Sequence, residues 1–413
     1  MLIGQLSHYH KNAEAHSNLA SMLNELGRLD EAEASFKQAI ALKPDIAEVW
    51  SNLGINLQRQ GKLEEAETSY NRSIALKPSN AEAHNNLAIT LQEQGRLDEA
   101  QVSFTRAIIL EPDHANALYN RSKLLFDKAE HRAALIDADA SSLKQAKALS
   151  LTLLYALGRV NEIYKRLELL SKSDAEDRRL AGFAAFISEV EGKPTAFDFC
   201  PKPIDLIHNA NLSSHVVDSA AYAESIIEEL ENIQKIWEPY GNSTVNGFQS
   251  LKGTNLFKNL SGKIAQLKSV ILTEVETYYS KFKNEKCRFI QKFPATRDIF
   301  GWTVILKQQG YQNAHIHPGG WLSGVVYLKT VPSLEKNEGA IQFSLNRKDY
   351  HDARARNLMF RPTVGDIVLF PSSLHHKTIP FTTDMDRIIV SFDLIPEASR
   401  REFSRTNLNT KTY

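Results

Sequence analysis

Two clusters of histidine in the C-terminal part of the chain are the residues best suited to chemistry. NAHIHPGGW contains His315 and His317, and FPSSLHHKTIPF contains His375 and His376. Residues two apart on a strand point to the same face, so His315 and His317 can converge on one metal ion, and a later strand can supply a third imidazole. His375 and His376 are adjacent, so on a strand they point to opposite faces. The pattern therefore predicts a metal site that contains His315 and His317 and is completed by one histidine of the second pair.

The residues around these clusters indicate β-structure. From Arg288 onward, short β-like runs alternate with Gly and Pro turn signals, and the runs are GWTVILK, LSGVVYLK, GAIQFSL, GDIVLFP and RIIVSFDLI. Several short strands separated in this way predict a sandwich or jelly roll. Imidazoles suit iron, copper, zinc and nickel, and an open-sided site with mixed ligands is expected of a non-haem iron oxygenase.

The N-terminal part has an internal period of 34 residues, seen at Gly27, Gly61 and Gly95 and again at Pro44, Pro78 and Pro112. Gly ends the first helix of each unit, and Pro breaks the chain before the next. No unit buries its apolar face alone, so the units stack. Stretches such as AEVWSNLGINLQRQGKLEEAETSYNRSIALKP closely resemble tetratricopeptide repeats over about residues 10 to 125. After Phe126 the markers decay, which we interpret as degenerate repeats.

A column of asparagines recurs with the same period on the first helix of each unit, at Asn18, Asn52, Asn86 and Asn120. Asn is a poor helix former, so local propensity does not explain the column. A carboxamide donates and accepts hydrogen bonds, which suits the backbone of an extended peptide. The column is similar to the asparagine ladder of O-linked N-acetylglucosamine transferases and predicts peptide binding. The alternative is a polar face copied by repeat duplication.

The C-terminal motifs occur in the order GWTVILKQQGYQNAHIHPGGWLSGVVYL, FRPTVGDIVLFPSSLHHKTIPF and DRIIVSFDLIPE. This order resembles the iron(II)/2-oxoglutarate oxygenase superfamily over about residues 240 to 397. In that family a His-x-acid pair and a distal His hold iron, and a later Arg binds the far carboxylate of 2-oxoglutarate. The resemblance implies that His315 and His376 are ligands and that Arg387 is the cofactor anchor. The planar guanidinium of Arg suits this task, because it offers a carboxylate two parallel hydrogen bonds.

The same resemblance implies iron(II) and 2-oxoglutarate as cofactors and molecular oxygen as co-substrate, with hydroxylation as the reaction. No catalytic residue beyond the metal ligands is required. Because peptide-binding repeats are fused to this domain, we expect a protein or peptide substrate.

The chain departs from the family at His317, where Asp or Glu is usual. Three neutral imidazoles would leave the double charge of the metal uncompensated, which favours a dianionic cofactor but also strengthens zinc and copper as competitors. The site is then either a three-His variant or one with two protein ligands.

The hydroxyl residue often found two positions after the Arg is replaced by Ile389. Anchoring is therefore expected to rely on Arg387 together with Tyr327 or Ser391. The alternative is a structural ion pair between Arg387 and an acid such as Asp393.

We predict a multidomain fold, with an all-α tetratricopeptide solenoid followed by a double-stranded β-helix (jelly roll) with flanking helices. The predicted boundaries are 1–195 for the repeats, 196–240 for a junction, 241–398 for the jelly roll and 399–413 for a polar tail.

Bulk composition excludes several classes of protein. Lys plus Arg and Asp plus Glu number 49 each, so no global field attracts nucleic acid or an anionic membrane. Cys200 and Cys287 are too few for a disulfide framework, and no apolar run has the length of a signal peptide or membrane span. These features favour a cytoplasmic protein.

Two other functions stay open from the residues. GDIVLFPSSLHH also resembles the second cupin motif, so a three-His cupin-like enzyme that does not use 2-oxoglutarate is possible, and it would not depend on Arg387. The other is a non-catalytic repeat scaffold, which would bind no metal.

Overall fold

The structure is a computed structural model that describes residues 12–239, 242–251, 253–258, 261–332 and 337–396. It divides into two compact units, one ending at Gly158 and the other beginning at Arg159. The described part of the first unit is built from helices, whereas the second combines helices with antiparallel strands. The predicted tail, 399–413, lies outside the described residues.

The first unit consists of helices that pack in consecutive pairs. Its helices are α1 (Ala13–Glu25), α2 (Leu29–Leu42), α3 (Ala47–Arg59), α4 (Leu63–Leu76), α5 (Ala81–Glu93), α6 (Leu97–Leu110), α7 (Ala115–Asp127), α8 (His131–Ala140) and α9 (Lys144–Ala156). The second helix of each pair also packs on the first helix of the next pair. This stacking confirms the solenoid that the repeat period predicts.

A residue in the left-handed conformation ends the first helix of each of the first four pairs. Gly27, Gly61 and Gly95 have φ angles of 76°, 75° and 80°, which glycine adopts without steric penalty. Ala129 has a φ of 59° at the corresponding place after α7. The hairpin geometry therefore continues into the segment where the sequence markers decay.

Small and aromatic side chains alternate in the core of the solenoid. Each is at most 1% exposed, and the set comprises Ala32, Phe36, Ala66, Tyr70, Ala100 and Phe104. The close fit is clearest at Gly54, where an added Cβ would lie 2.6 Å from a ring carbon of Tyr70. These repeated columns are thus the surfaces through which adjacent helices contact one another.

The second unit begins with two helices and continues into a β-rich fold. Its helices are α10 (Val160–Ser173), α11 (Arg178–Val190), α12 (Ser219–Glu231), α13 (Gly262–Phe282) and α14 (Arg288–Gln291). Its strands are β1 (His208–Asn211), β2 (Lys235–Trp237), β3 (Thr244–Ser250), β4 (Ile299–Gln312), β5 (Leu322–Lys329), β6 (Ile341–Ser344), β7 (Asn357–Phe360), β8 (Asp366–Pro371), β9 (His375–Thr378) and β10 (Arg387–Leu394).

The described strands form two antiparallel sheets. The larger has the order β1-β8-β5-β10-β4-β3-β2, and the smaller has the order β7-β6-β9. In the larger sheet β10 lies between β5 and β4, so that Ser391 is opposite Val325 on one side and Trp302 on the other. Side chains from both sheets line one cavity. This is the jelly-roll arrangement expected from the sequence.

The division between units lies earlier than the boundary at residue 195 predicted from the sequence. Helices α10 and α11 belong to the second unit, where Arg356 forms an ion pair with Glu189 of α11 at 2.8 Å. The predicted junction also contributes to the main sheet, because β1 pairs with β8. Amphipathic periodicity cannot reveal this membership, since helices that pack on a sheet show the same pattern as helices that pack on helices.

Among the described residues, no helix combines the length and the apolar character needed to cross a membrane.

Truncating a core aromatic should destabilise the solenoid. Phe104→Ala empties a fully buried site on α6 and should lower the free energy of unfolding by about 3–5 kcal/mol, because the neighbours cannot fully refill the cavity. Val102→Ala, on the same helix at a 70% exposed position, should change it by less than about 0.5 kcal/mol. Urea unfolding followed by circular dichroism measures both, and equal effects would contradict the assigned core.

A histidine–glutamate pair should make the stability of the solenoid depend on pH. His114 Nε2 lies 3.1 Å from Glu82 Oε2, and this hydrogen bond raises the pKa of His114 and lowers the pKa of Glu82. A group whose pKa is raised on folding stabilises the folded state at pH values below its unfolded-state pKa. This stabilisation is lost as the pH rises through the folded-state pKa. Glu82→Gln should therefore lower the free energy of unfolding more at about pH 5.5 than at about pH 8.5. A difference independent of pH would contradict the pairing.

Candidate metal centre

The first histidine cluster lies in the loop between β4 and β5. His315 and His376 form an isolated antiparallel bridge in which the amide of each donates to the carbonyl of the other, both at 3.1 Å. The amide of His317 donates to the carbonyl of Ser372 at 3.0 Å. The expectation that His315 and His317 share a regular strand is therefore wrong, because only His315 takes part in a bridge. The backbone bonds nevertheless hold both residues beside β9.

The three histidine rings converge although they come from two segments of the chain. The ring centroids of His315 and His376 are 4.4 Å apart, and that of His317 lies 5.2 Å and 5.1 Å from them. One ligand nitrogen from each residue lies within 4.8 Å of the others. Such a group could hold one metal ion.

An oxygen acceptor faces the Nδ1 atom of each ring. The acceptors are the Asn313 carbonyl for His315 at 2.6 Å, the Leu374 carbonyl for His376 at 3.1 Å and Asp393 Oδ1 for His317 at 2.6 Å. An imidazole whose Nδ1 donates to such an acceptor has its other nitrogen, Nε2, free to bind a metal. The polar surroundings thus select the tautomer in which three Nε2 atoms are available to a metal.

The cavity keeps two of these imidazoles neutral. Desolvation, with a contribution from the charge of His317, lowers the pKa of His315 to about 3. Desolvation and the neighbouring histidines lower the pKa of His376 well below its ordinary value. Because a metal ion and a proton compete for the same nitrogen, binding at these two residues is not opposed by protonation at neutral pH.

His375 lies on the opposite side of β9 from His376. Its ring centroid is 6.2 Å from that of Tyr350. A Cβ added to Gly182 of α11 would lie 3.1 Å from its Cε1. His375 therefore packs against α11 rather than in the cavity, as the alternation of a strand predicts.

The histidine cluster lies in the wall of a cavity that is open to solvent on one side. Both sheets contribute to the lining, which comprises Trp302, Gln312, His315, His317, Val325, Tyr327, Ile341, His376, Thr378, Arg387, Ile389 and Ser391. All six residues that the sequence assigned to metal or cofactor binding are among them. Tertiary structure thus brings together groups from the loop after β4 and from β5, β9 and β10.

Arg387 is the buried cation of this cavity and is 1% exposed. Its Nε and Nη1 atoms have no hydrogen-bond partner among the described residues, and neither has the hydroxyl of Tyr327. The guanidinium carbon lies 5.0 Å from the centroid of the Tyr327 ring. Burial lowers the pKa of Arg387 and raises that of Tyr327 to about 12. Buried donors without partners are energetically unfavourable, so these groups fit an anionic ligand.

Strand alternation explains how β10 contributes three residues to the cavity. Arg387, Ile389 and Ser391 are two apart and share one face. Ser391 is 4% exposed, and Ile389 is opposite Tyr327 in the ladder with β5. The position where the family often has a hydroxyl residue is therefore an apolar part of the wall.

Asp393 continues the same face of β10 but does not pair with Arg387. Its carboxylate accepts from His317 Nδ1 and from the hydroxyl of Ser323, both at 2.6 Å. The alternative of an Arg387–Asp393 ion pair is therefore wrong. Sequence reasoning missed the contact with His317, although counting in steps of two from Arg387 would have placed Asp393 on the cavity face.

The asparagine column occupies the first helices of the repeats in differing environments. Asn18 is exposed, Asn52 and Asn120 are half-buried, and Asn86 is buried. Asn85 donates to Asn86 Oδ1 and accepts from Asn120 Nδ2, both at 3.1 Å. Asn86 and Asn120 are thus linked through Asn85, which connects α5 to α7, a structural role that the sequence analysis did not anticipate.

The arrangement suits a metal with an open side. Three imidazoles converge at one place on the wall of a cavity. A buried guanidinium in the same cavity can bind a carboxylate through parallel hydrogen bonds. The chemistry of these donors therefore fits a divalent metal with a carboxylate-bearing ligand.

Family models match both parts of the chain. The model described as "Putative 2OG-Fe(II) oxygenase" matches residues 301–393. Tetratricopeptide-repeat models match residues 11–79, 45–108 and 86–149. No curated protein matches the chain.

Among solved structures, the similar chains include three that each match less than half of this chain. PilW, a type IV pilus biogenesis factor, is 22% identical with a TM-score of 0.39, and the match covers 43% of this chain and 84% of that one. YrrB, a tetratricopeptide protein with a peptide-binding site, is 15% identical with a TM-score of 0.36, covering 43% and 95%. A structure of Pseudomonas aeruginosa pilF is 19% identical with a TM-score of 0.37, covering 42% and 82%.

The family matches agree with the fold and with the cavity. The match over 301–393 contains His315, His317, His376 and Arg387, and the repeat matches lie among the stacked helix pairs. The chain therefore joins tetratricopeptide repeats to a C-terminal segment, residues 301–393, that matches the model described as "Putative 2OG-Fe(II) oxygenase".

Proposed function

We propose that the chain is an Fe(II)/2-oxoglutarate-dependent dioxygenase that hydroxylates a protein or peptide side chain held by its repeats. The observation that carries this proposal is one cavity that contains a three-imidazole cluster and a buried guanidinium whose Nε and Nη1 have no hydrogen-bond partner among the described residues. The family match over residues 301–393 supports it.

The residues of the cavity fit both cofactors. His315, His317 and His376 would hold Fe(II) through their Nε2 atoms. Arg387 would bind the far carboxylate of 2-oxoglutarate, and Tyr327 would donate its hydroxyl because its raised pKa keeps it protonated. The bound iron and keto acid, with molecular oxygen, would supply the oxidising chemistry.

The rest of the wall restricts access of water. Apolar side chains from four strands line the cavity, namely Trp302, Val325, Ile341 and Ile389. Trp302 also packs beside the histidine cluster, with its ring centroid 5.4 Å from that of His317. An apolar wall strengthens the interaction of Arg387 with a carboxylate and limits side reactions with solvent.

The repeats would supply the substrate. Asn18 is exposed and Asn52 is half-buried on successive first helices, where their carboxamides can bind peptide backbone. Covalent linkage of a peptide-binding unit to a catalytic unit raises the local concentration of the peptide. This is why we propose a macromolecular substrate rather than a small metabolite.

The cofactor assignment is tested by anaerobic titration of the purified chain with Fe(II) and 2-oxoglutarate. We expect a visible metal-to-ligand charge-transfer band that is lost in His376→Ala and weakened in Arg387→Ala, because one variant lacks a ligand and the other the carboxylate anchor. His351→Ala and Arg361→Ala are matched controls at exposed positions and should retain the band.

Each contrary result has a definite meaning. Metal binding without the band, and without dependence on Arg387, would favour a cupin-like enzyme that does not use 2-oxoglutarate. If the chain binds no metal after reconstitution, the remaining hypothesis is that it is a non-catalytic repeat scaffold.

Peptide binding by the repeats is tested with a random peptide library. Asn18→Ala with Asn52→Ala should weaken the affinity of selected peptides about fivefold per asparagine, because each hydrogen bond contributes about 1 kcal/mol. Adding Asn86→Ala and Asn120→Ala should weaken it further but also lower stability, through loss of the Asn85 contacts. Asn71→Ala, exposed on α4, is the control, and unchanged affinity in the first variant would contradict the proposal.

A further inference from the structure

The metal centre proposed above lacks an anionic protein ligand. His317 occupies the position where the family resemblance leads one to expect Asp or Glu. Three neutral imidazoles leave the full double charge of a bound cation inside a cavity, where solvent screens it weakly. A negative group close to the cluster would reduce this cost.

Asp393 is a carboxylate in direct contact with the cluster. Its Oδ1 accepts from His317 Nδ1 at 2.6 Å, and the residue is 3% exposed. The Ser323 hydroxyl donates to the same oxygen at 2.6 Å and lies 2.8 Å from the Ser372 hydroxyl. Both serines are completely buried, so the carboxylate has a fixed position.

The loop that carries His317 is built to allow this contact. A Cβ added to Gly320 would lie 2.9 Å from Asp393 Cγ and 2.7 Å from Ser372 Oγ. The Gly320 carbonyl accepts from Arg178 Nε of α11 at 2.8 Å. Close packing and a buried hydrogen bond thus place His317 against Asp393.

We propose that Asp393 is a positioning residue that orients His317. Through the imidazole of His317 it supplies the negative charge that the three-histidine centre lacks. The carboxylate holds the proton on Nδ1, so that Nε2 is directed at the metal and becomes a stronger donor. The acid that the family resemblance leads one to expect as a metal ligand would here contact the Nδ1 atom of the ligand His317 instead. This inference rests on the proposed function, because it requires a metal at the cluster.

The test measures Co(II) binding to the metal-free full chain by competition with a chromophoric chelator. Asp393→Asn preserves shape but removes the charge, and it should weaken Co(II) binding about 10- to 100-fold and shift the visible Co(II) absorption. Glu274→Gln is the matched control, because Glu274 is a buried carboxylate facing His208 at 3.1 Å and His215 at 2.6 Å without lining the cavity. It should leave both quantities unchanged.

A double-mutant cycle separates this role from a general structural one. If Asp393 acts through His317, Asp393→Asn should cause no further loss of Co(II) affinity in a His317→Gln background. A structural role would produce the same loss in both backgrounds and would overturn the inference. If Asp393→Asn fails to fold by circular dichroism, Ser323→Ala takes its place in the cycle, with a smaller loss expected only where His317 is present.

The outcomes distinguish this inference from the proposed function. If the Asp393→Asn variant binds Co(II) as tightly as the wild-type chain, the proposed role of Asp393 is overturned and the proposed metal centre is not. A wild-type chain that binds no Co(II) would overturn both.

Discussion

Two backbone hydrogen bonds between His315 and His376 bring two distant parts of the sequence to one place. They hold the loop after β4 against β9, and the bond from His317 to Ser372 extends this contact. The three imidazoles converge because these backbone hydrogen bonds fix the main-chain positions of the three histidines. Since backbone bonds do not depend on side-chain identity, the centre can hold its geometry while the surrounding side chains determine its chemistry.

Strand β10 places opposite charges at two ends of the cavity face. Asp393 and Arg387 are six residues apart, or about 20 Å along an extended strand, which is too far for an ion pair. Asp393 is hydrogen-bonded to His317 and Ser323, whereas Arg387 has donors without partners. One end is therefore suited to a cation and the other to an anion, as a site for a metal and a dicarboxylate requires.

The repeats follow a different physical rule. Each helix pair buries its small and aromatic columns against the next pair, so the solenoid depends on local contacts and on a left-handed residue in each hairpin. Ala129 keeps that conformation where glycine is absent, because stacking of α7 and α8 outweighs the modest steric penalty of a single Cβ. The fold of the repeats thus extends further than its sequence markers.

The sequence alone determined the features that arise from local periodicity and residue chemistry. These were the stacked helix pairs, the β-rich class of the second unit and six residues that the structure brings together in one cavity. Only the tertiary structure decided the membership of α10 and α11 and the pairing of Asp393 with His317. It also decided that Nε and Nη1 of Arg387 have no hydrogen-bond partner among the described residues. The physical reason is that period and alternation constrain neighbours along the chain, whereas these contacts join residues up to 167 positions apart. Their energies depend on burial and on exact separation.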